Sequence, residues 1–120
     1  MAALMKRGHD DADRAKESFA EHWSFYGRHD GPAAFARQVR ALKVQDTLVV
    51  ADRLPRLKMP ARIVWGASDP FQKVGYGERF ARDLDAPLRR IEGGRHFTPE
   101  DHPEVIAEEL DRLLMEVGAS

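Results

Sequence analysis

Residues 57–103 read LKMPARIVWGASDPFQKVGYGERFARDLDAPLRRIEGGRHFTPEDHP, and the rest of the chain is organised around this segment. Two short apolar runs in it, Ala61–Trp65 and Leu88–Ile91, predict β-strands. A helical pattern that begins near Lys73 lies between them, and the sequence Asp85-Ala86-Pro87 ends it. This order of strand, helix and strand predicts two parallel strands joined by a crossover helix.

Each predicted strand is followed by a turn that presents one chemically useful side chain. Asp69 follows the first strand, and His96 follows the second after a Gly93-Gly94 turn that favours positive φ. An acid and an imidazole on consecutive strand ends can run a proton relay, in which Asp69 orients the ring and His96 acts as general base. The alternatives are a turn aspartate that binds backbone amides and a partly exposed loop histidine.

Two amphipathic helices are predicted upstream of this stretch, after a frayed lead-in at residues 1–10. The inward positions of the first recur at spacings of four, four and three before Gly27, and they are Ala15, Phe19, Trp23 and Tyr26. The second begins at Asp30 or Gly31 with Pro32 near its first position, and its predicted buried side is Phe35, Val39 and Leu42. We expect core packing for Trp23 and Phe35.

The segment TLVVADRL at residues 47–54 fits two structures. The β-branched pair Val49-Val50 favours a strand, whereas the preceding Asp46 and the sequence after Val50 favour a short helix, which we predict here. Further on, Pro103 begins a final helix with apolar positions four, three and four apart, at Ile106, Leu110, Leu113 and Val117.

Composition excludes several classes of function. The 120 residues fit one domain, with 42% hydrophobic and 32% charged residues and a net charge of -1, so we expect no nucleic-acid partner. The chain has no cysteine, no apolar run near the roughly 20 residues that cross a membrane, and no signal-peptide pattern. We therefore expect a soluble, cytoplasmic protein. The spacing of His9, His22 and His29 matches no metal-ligand pattern, and we expect neither a metal nor a cofactor.

Several motifs taken in order resemble the C-terminal part of an α/β-hydrolase. The family's acid-bearing strand is similar to Ile63-Val64-Trp65-Gly66-Ala67-Ser68-Asp69, and Met59-Pro60 precedes it as in the family. The turn Gly93-Gly94-Arg95-His96 and the helix start at His102-Pro103 resemble the family's histidine turn and terminal helix. The resemblance covers roughly residues 46–117.

The resemblance implies a mixed α/β fold, namely the C-terminal portion of an α/β-hydrolase with two short parallel strands and flanking helices. Residues 1–45 would be the remnant of a helical cap over the pocket, and residues 46–120 the C-terminal part of the core. Asp69 and His96 would be catalytic, and Phe71 and Phe97 would bind a small-molecule substrate. The complete form would hydrolyse an ester, epoxide or carbon–halogen bond.

The departure from the family is the nucleophile. The family carries it on a G-x-S-x-G-type turn upstream of the acid. None of the serines has glycines two residues away on both sides; they are Ser18, Ser24, Ser68 and Ser120. We therefore expect a fragment or truncated copy without turnover of its own. The alternatives are a non-catalytic module that binds a partner or self-associates through its open sheet edge, and a small enzyme that uses Asp69 and His96 without a covalent step.

Overall fold

The computed structural model describes residues 2–118 and has a mixed α/β fold that is compatible with part of an α/β-hydrolase. Helices precede, separate and follow two short strands. In chain order the elements are α1 (Ala2–Gly8), α2 (Ala12–Tyr26), α3 (Gly31–Ala41), α4 (Val44–Ala51), β1 (Ile63–Gly66), α5 (Val74–Asp83), β2 (Leu88–Ile91), α6 (Thr98–Asp101) and α7 (Pro103–Gly118), with a 3₁₀ turn at Leu54–Arg56.

The two strands are parallel, as predicted, and α5 is the crossover between them. The register pairs Ile63 with Leu88 and Gly66 with Ile91. Gly77 of α5 lies so close to the sheet that a Cβ there would be 2.8 Å from the Trp65 ring. Because a larger residue would push the helix away, this glycine sets how closely α5 packs on β1.

The helix starts follow local chemistry. Asp11 caps α2, since its Oδ1 accepts hydrogen bonds from the backbone amides of Asp13 and Arg14 at 2.9 and 2.8 Å. The ambiguous segment contributes to α4, which confirms the helical prediction. Among the helices of residues 2–118, none combines the length and apolar character that a bilayer crossing requires.

The prediction of a frayed N-terminus was wrong. Residues 2–8 form α1, whose Met5 is buried, and His9 directly after it is fully buried. The helix packs on α2, and its last carbonyl, on Gly8, binds the segment around His96. A helix of this length has too few residues to show periodicity, and its contacts lie far along the chain.

The predicted burial of the α3 face was also wrong. Phe35, Val39 and Leu42 are all exposed, Leu42 by 78% of its surface, and Trp23 on α2 is 47% exposed. The periodicity correctly identifies an apolar face on each helix. Tyr26 of α2 contacts Phe35 edge-on at a centroid distance of 5.6 Å, but large parts of both faces still meet solvent.

The total accessible surface shows that the chain is less compact than a typical monomer of its mass. A compact monomer of 13.6 kDa exposes about 6,600 Å², whereas this chain exposes 8970 Å². Its radius of gyration of 16.7 Å likewise exceeds the value of about 14 Å for a compact domain of this length. Among residues 2–118, the buried apolar residues are Met5 and Ala15, which are 6% and 3% exposed.

A buried ion pair joins α7 to the start of β1. Arg62 Nε lies 2.6 Å from Oε2 of Glu109, whose side chain is only 6% exposed. Arg112 donates to the other carboxylate oxygen of Glu109. The hydrogen bond from Arg62, opposed by burial and aided by the positive charges nearby, lowers the pKa of Glu109 from its usual 4.5.

Candidate active site

The turns after β1 and β2 pack directly against each other. The amide of Ala67 donates to the Ile91 carbonyl at 3.0 Å, and the amide of Ser68 donates to the Gly94 carbonyl at 2.9 Å. A Cβ on Gly66 would lie 2.2 Å from the carbonyl oxygen of Arg95, so only glycine fits there. Since the strands are parallel, this contact brings the residues that follow each strand to the same edge of the sheet.

Asp69 and His96 meet at that edge. Nδ1 of His96 lies 2.9 Å from Oδ2 of Asp69. The carboxylate is an acceptor, so Nδ1 carries the proton and the neutral ring presents its lone pair at Nε2. The Asp69 side chain is 6% exposed and the His96 side chain 37% exposed, and no residue of 2–118 forms a hydrogen bond with Nε2. The acid is therefore enclosed while the basic nitrogen stays accessible.

The second oxygen of Asp69 holds the turn together. Oδ1 accepts hydrogen bonds from the backbone amides of Phe71 and Gln72 at 2.7 and 2.9 Å. Burial raises the pKa of Asp69, but these amides and His96 together lower it below 3.8. The carboxylate is therefore ionised at neutral pH. Oδ1 thus binds the backbone amides of the turn and Oδ2 binds His96, while the catalytic role of Asp69 stays a prediction.

Two phenylalanines flank the imidazole. The rings of Phe71 and Phe97 both meet His96 edge-on, with centroid distances of 5.2 and 5.3 Å. The Arg7 guanidinium lies over Phe71 at 5.5 Å, and the other neighbour of Phe97 is the ring of His9. These contacts restrict the rotation of His96, while the role of both phenylalanines in substrate binding stays a prediction.

A cavity of about 210 Å³ opens beside the pair. Its walls come from β1, from the two turns and from α6 and α7, and they are Val64, Trp65, Gly66, Asp69, Gln72, His96, Thr98, Pro99 and Ile106. Ligand pockets usually measure roughly 300–1,000 Å³. A substrate site at His96 would therefore need further walls beyond those that residues 2–118 supply.

Residues 8–10 also contact the site, which the sequence did not indicate. The Gly8 carbonyl accepts hydrogen bonds from the amides of His96 and Phe97 at 2.8 and 3.1 Å. Asp10 accepts from the Arg95 amide at 2.7 Å. In the sequence, Gly8, His9 and Asp10 are simply three consecutive residues, and nothing in that pattern indicates their distant partners.

Three other histidines, His9, His22 and His102, lie beside carboxylates. His22 lies 3.3 Å from Glu100, and the half-buried His102 lies 2.5 Å from Asp10. Across the part of the chain that the structure describes, no group of three or more histidine, aspartate and glutamate side chains is arranged to hold a metal ion.

Comparison with known proteins gives one distant similarity. The chain is 26% identical over 87 residues to an uncharacterized hydrolase, YugF, of Bacillus subtilis (strain 168). The aligned region is 71% of this chain and 32% of that protein, so the chain spans about a third of its relative's length. No protein-family model matches the chain, and no solved structure matches it significantly.

Proposed function

We propose that this chain carries the acid and the base of an α/β-hydrolase-type active site, and that the nucleophile comes from outside residues 1–120. The observation that supports this most directly is the 2.9 Å hydrogen bond between His96 Nδ1 and Asp69 Oδ2, at the carboxyl ends of two parallel strands. The order of acid before histidine and the similarity to a bacterial hydrolase add support.

In the proposed reaction, Nε2 of His96 takes the proton of the attacking group, and Asp69 stabilises the resulting imidazolium without accepting the proton itself. With a hydroxyl nucleophile, His96 activates that hydroxyl and later returns the proton to the leaving group. With a carboxylate nucleophile, it instead activates the water that cleaves the covalent ester. The bond broken is an ester, epoxide or carbon–halogen bond in a small molecule.

The same proposal assigns different roles to the two segments of the chain. Residues 46–120 supply the acid and base of the core, and residues 1–45 belong to a helical cap. The exposed apolar faces of α2 and α3 suit a cap that leans over a substrate and over the rest of the core. Phe71 and Phe97 would border the substrate next to His96.

Kinetics on the gene product purified from its source cells test the proposal. His96→Ala should abolish hydrolysis, and Asp69→Asn should lower kcat by about 10⁴-fold because the ring loses its tautomer. The matched control is His22→Ala, which removes a 47% exposed histidine on α2. The 120-residue chain alone should show no turnover, because none of its serines lies in a G-x-S-x-G-type turn. When the nucleophile is missing from such a site, the residual rate comes only from binding and an oxyanion hole. Hydrolysis that survives His96→Ala would refute the proposal.

A second candidate function rests on surface area. The chain exposes roughly 2,400 Å² more than a compact monomer of its mass, which lies in the range of about 2,000–5,000 Å² for obligate interfaces. Each of the two strands also has one unpaired edge. A non-catalytic module would use these surfaces to bind a partner or a second copy. A stable monomer in light scattering at micromolar concentration would exclude self-association.

A further inference from the structure

The His96 loop, defined here as residues 94–102, is held by three consecutive residues at the other end of the chain. The carbonyl of Gly8 accepts two hydrogen bonds, from the amide of His96 at 2.8 Å and from the amide of Phe97 at 3.1 Å. A Cβ on Gly8 would lie 2.6 Å from the Phe97 ring. The backbone of the catalytic candidate itself therefore rests on the end of α1.

His9 holds the loop through its ring and its carbonyl. The ring is 0% exposed, and it stacks on Phe97 at a centroid distance of 4.4 Å and an angle of 15°. Its Nδ1 lies 2.7 Å from Oδ1 of Asp101, and its carbonyl accepts from Arg95 Nη1 at 3.1 Å. Phe97 in turn meets His96 edge-on, so the three rings form one continuous contact.

The other nitrogen of His9 distinguishes this ring from simple packing. Nε2 is buried and has no hydrogen-bond partner among the described residues, and Oε2 of Glu100 lies 3.8 Å away. An unpaired buried nitrogen is costly, and an apolar ring would avoid that cost. The advantage of histidine here lies at Nδ1, in the bond to Asp101 that fixes both the ring and the loop.

Asp10 completes the attachment with both carboxylate oxygens. Oδ1 accepts from the Arg95 amide at 2.7 Å, and Oδ2 lies 2.5 Å from Nε2 of His102. Its own amide donates to Oδ2 of Asp101 at 3.0 Å. The bonded loop residues lie on both sides of His96, at Arg95 and at His102, so rotation of the loop about its ends is opposed.

From these contacts we infer that Gly8, His9 and Asp10 are positioning residues for His96, and that they hold its ring in register with Asp69. The inference rests on the proposed function, since positioning matters only if His96 is the base. A catalytic group must stay within about 0.5 Å of its productive geometry, and hydrogen bonds from outside its own loop are a general way to achieve this. The segment thus links the cap region to the acid–base pair.

The test uses proton NMR of the 120-residue chain and follows the His96 Nδ1 proton in its hydrogen bond with Asp69. His9→Phe keeps the stacked ring and removes the Asp101 bond, and Asp10→Asn weakens the link to His102. Each should speed exchange of this proton with water by about tenfold, the effect of one lost hydrogen bond. The amide protons of β1 and β2 should exchange as in the wild type, which separates local loosening from lower stability.

His22→Phe is the matched control and should leave the His96 proton unchanged, because His22 is 47% exposed and contacts only Glu100 of the loop. Unchanged exchange in both His9→Phe and Asp10→Asn overturns the positioning role and leaves the proposed function intact. If His9→Phe does not fold, the half-buried Asp10→Asn alone decides. A folded wild type without a His96–Asp69 proton signal contradicts the proposed function itself.

Discussion

The region around His96 and the arm formed by α3 and α4 (residues 31–51) differ in what holds them. Around His96, polar groups meet polar groups: the Gly8 carbonyl, the Asp10 carboxylate and the Asp69 carboxylate all accept hydrogen bonds at 3.1 Å or less. In the arm, apolar side chains face solvent, including Val39, Leu42, Val44, Leu48, Val49 and Val50. Geometry in the first region is fixed by hydrogen bonds within the chain, whereas the second region leaves apolar side chains in solvent.

The largest loss of stability should follow from breaking the ion pair between Arg62 and Glu109, which joins the start of β1 to α7. Arg62→Met leaves the buried Glu109 carboxylate with the half-exposed Arg112 as its remaining partner, and removing one member of a buried ion pair is strongly destabilising. Urea unfolding should show a lower midpoint. Arg112→Met removes a 50% exposed partner of the same carboxylate and is the control, with a smaller shift expected. Equal shifts would show that Arg62 has no special role.

A second substitution tests the contact between α1 and the His96 loop. Gly8→Ala would place a Cβ 2.6 and 2.8 Å from two carbons of the Phe97 ring, and such overpacking typically costs about 1–3 kcal/mol. Gly75→Ala in α5 meets no atom within 4 Å and should stabilise the chain by up to about 1 kcal/mol through helix propensity. Chemical denaturation measures both. A tolerated alanine at position 8 would mean that α1 does not press on Phe97.

Low pH should lower the free energy of unfolding through Glu109 and Asp69. Because the folded-state pKa values of Glu109 and Asp69 lie below their usual 4.5 and 3.8, the unfolded chain binds more protons between the two sets of values. The stability these groups contribute is present above about pH 4.5 and is lost as pH falls through the folded-state pKa values. Glu109→Gln should flatten the dependence of the unfolding midpoint on pH below 4.5. An unchanged slope would contradict the assigned role of Glu109.

The smallest effect belongs to the arm. Leu42→Ala and Val49→Ala remove side chains that are 78% and 57% exposed, so the free energy of unfolding should change by less than about 0.5 kcal/mol. The same denaturation experiment measures it. A loss as large as that of Gly8→Ala would show that the arm packs within the chain, and the contrast between the two regions would fail.

Local patterns in the sequence were enough to predict both strands and the residues after them. Ile63–Gly66 and Leu88–Ile91 are short apolar runs bounded by turn residues, and the positive φ of 79° at Gly93 is what a glycine in that turn suggests. The hydrogen bond between Asp69 and His96 follows from their places after parallel strands. Helix caps such as Asp11 are equally local.

The contacts of residues 8–10 could not be predicted in the same way. They join groups 85 to 92 positions apart through single hydrogen bonds, such as Asp10 to Arg95 and His9 to Asp101, and they leave no periodic pattern. The exposure of Phe35 and Leu42 is a different failure, since periodicity identifies an apolar face but not what covers it. The roles of Phe71 and Phe97 toward a substrate stay predictions.

Covalent labelling of the gene product purified from source cells would locate the nucleophile that His96 is proposed to serve. The protein would be treated separately with a fluorophosphonate, an epoxide and a haloalkane, and the modified peptide mapped by mass spectrometry. If the proposed function is right, the adduct forms on a serine or aspartate outside residues 1–120, and its hydrolysis stalls in His96→Ala. An adduct on a residue within 1–120, for example Ser68, that is hydrolysed equally fast in His96→Ala would contradict the proposed function.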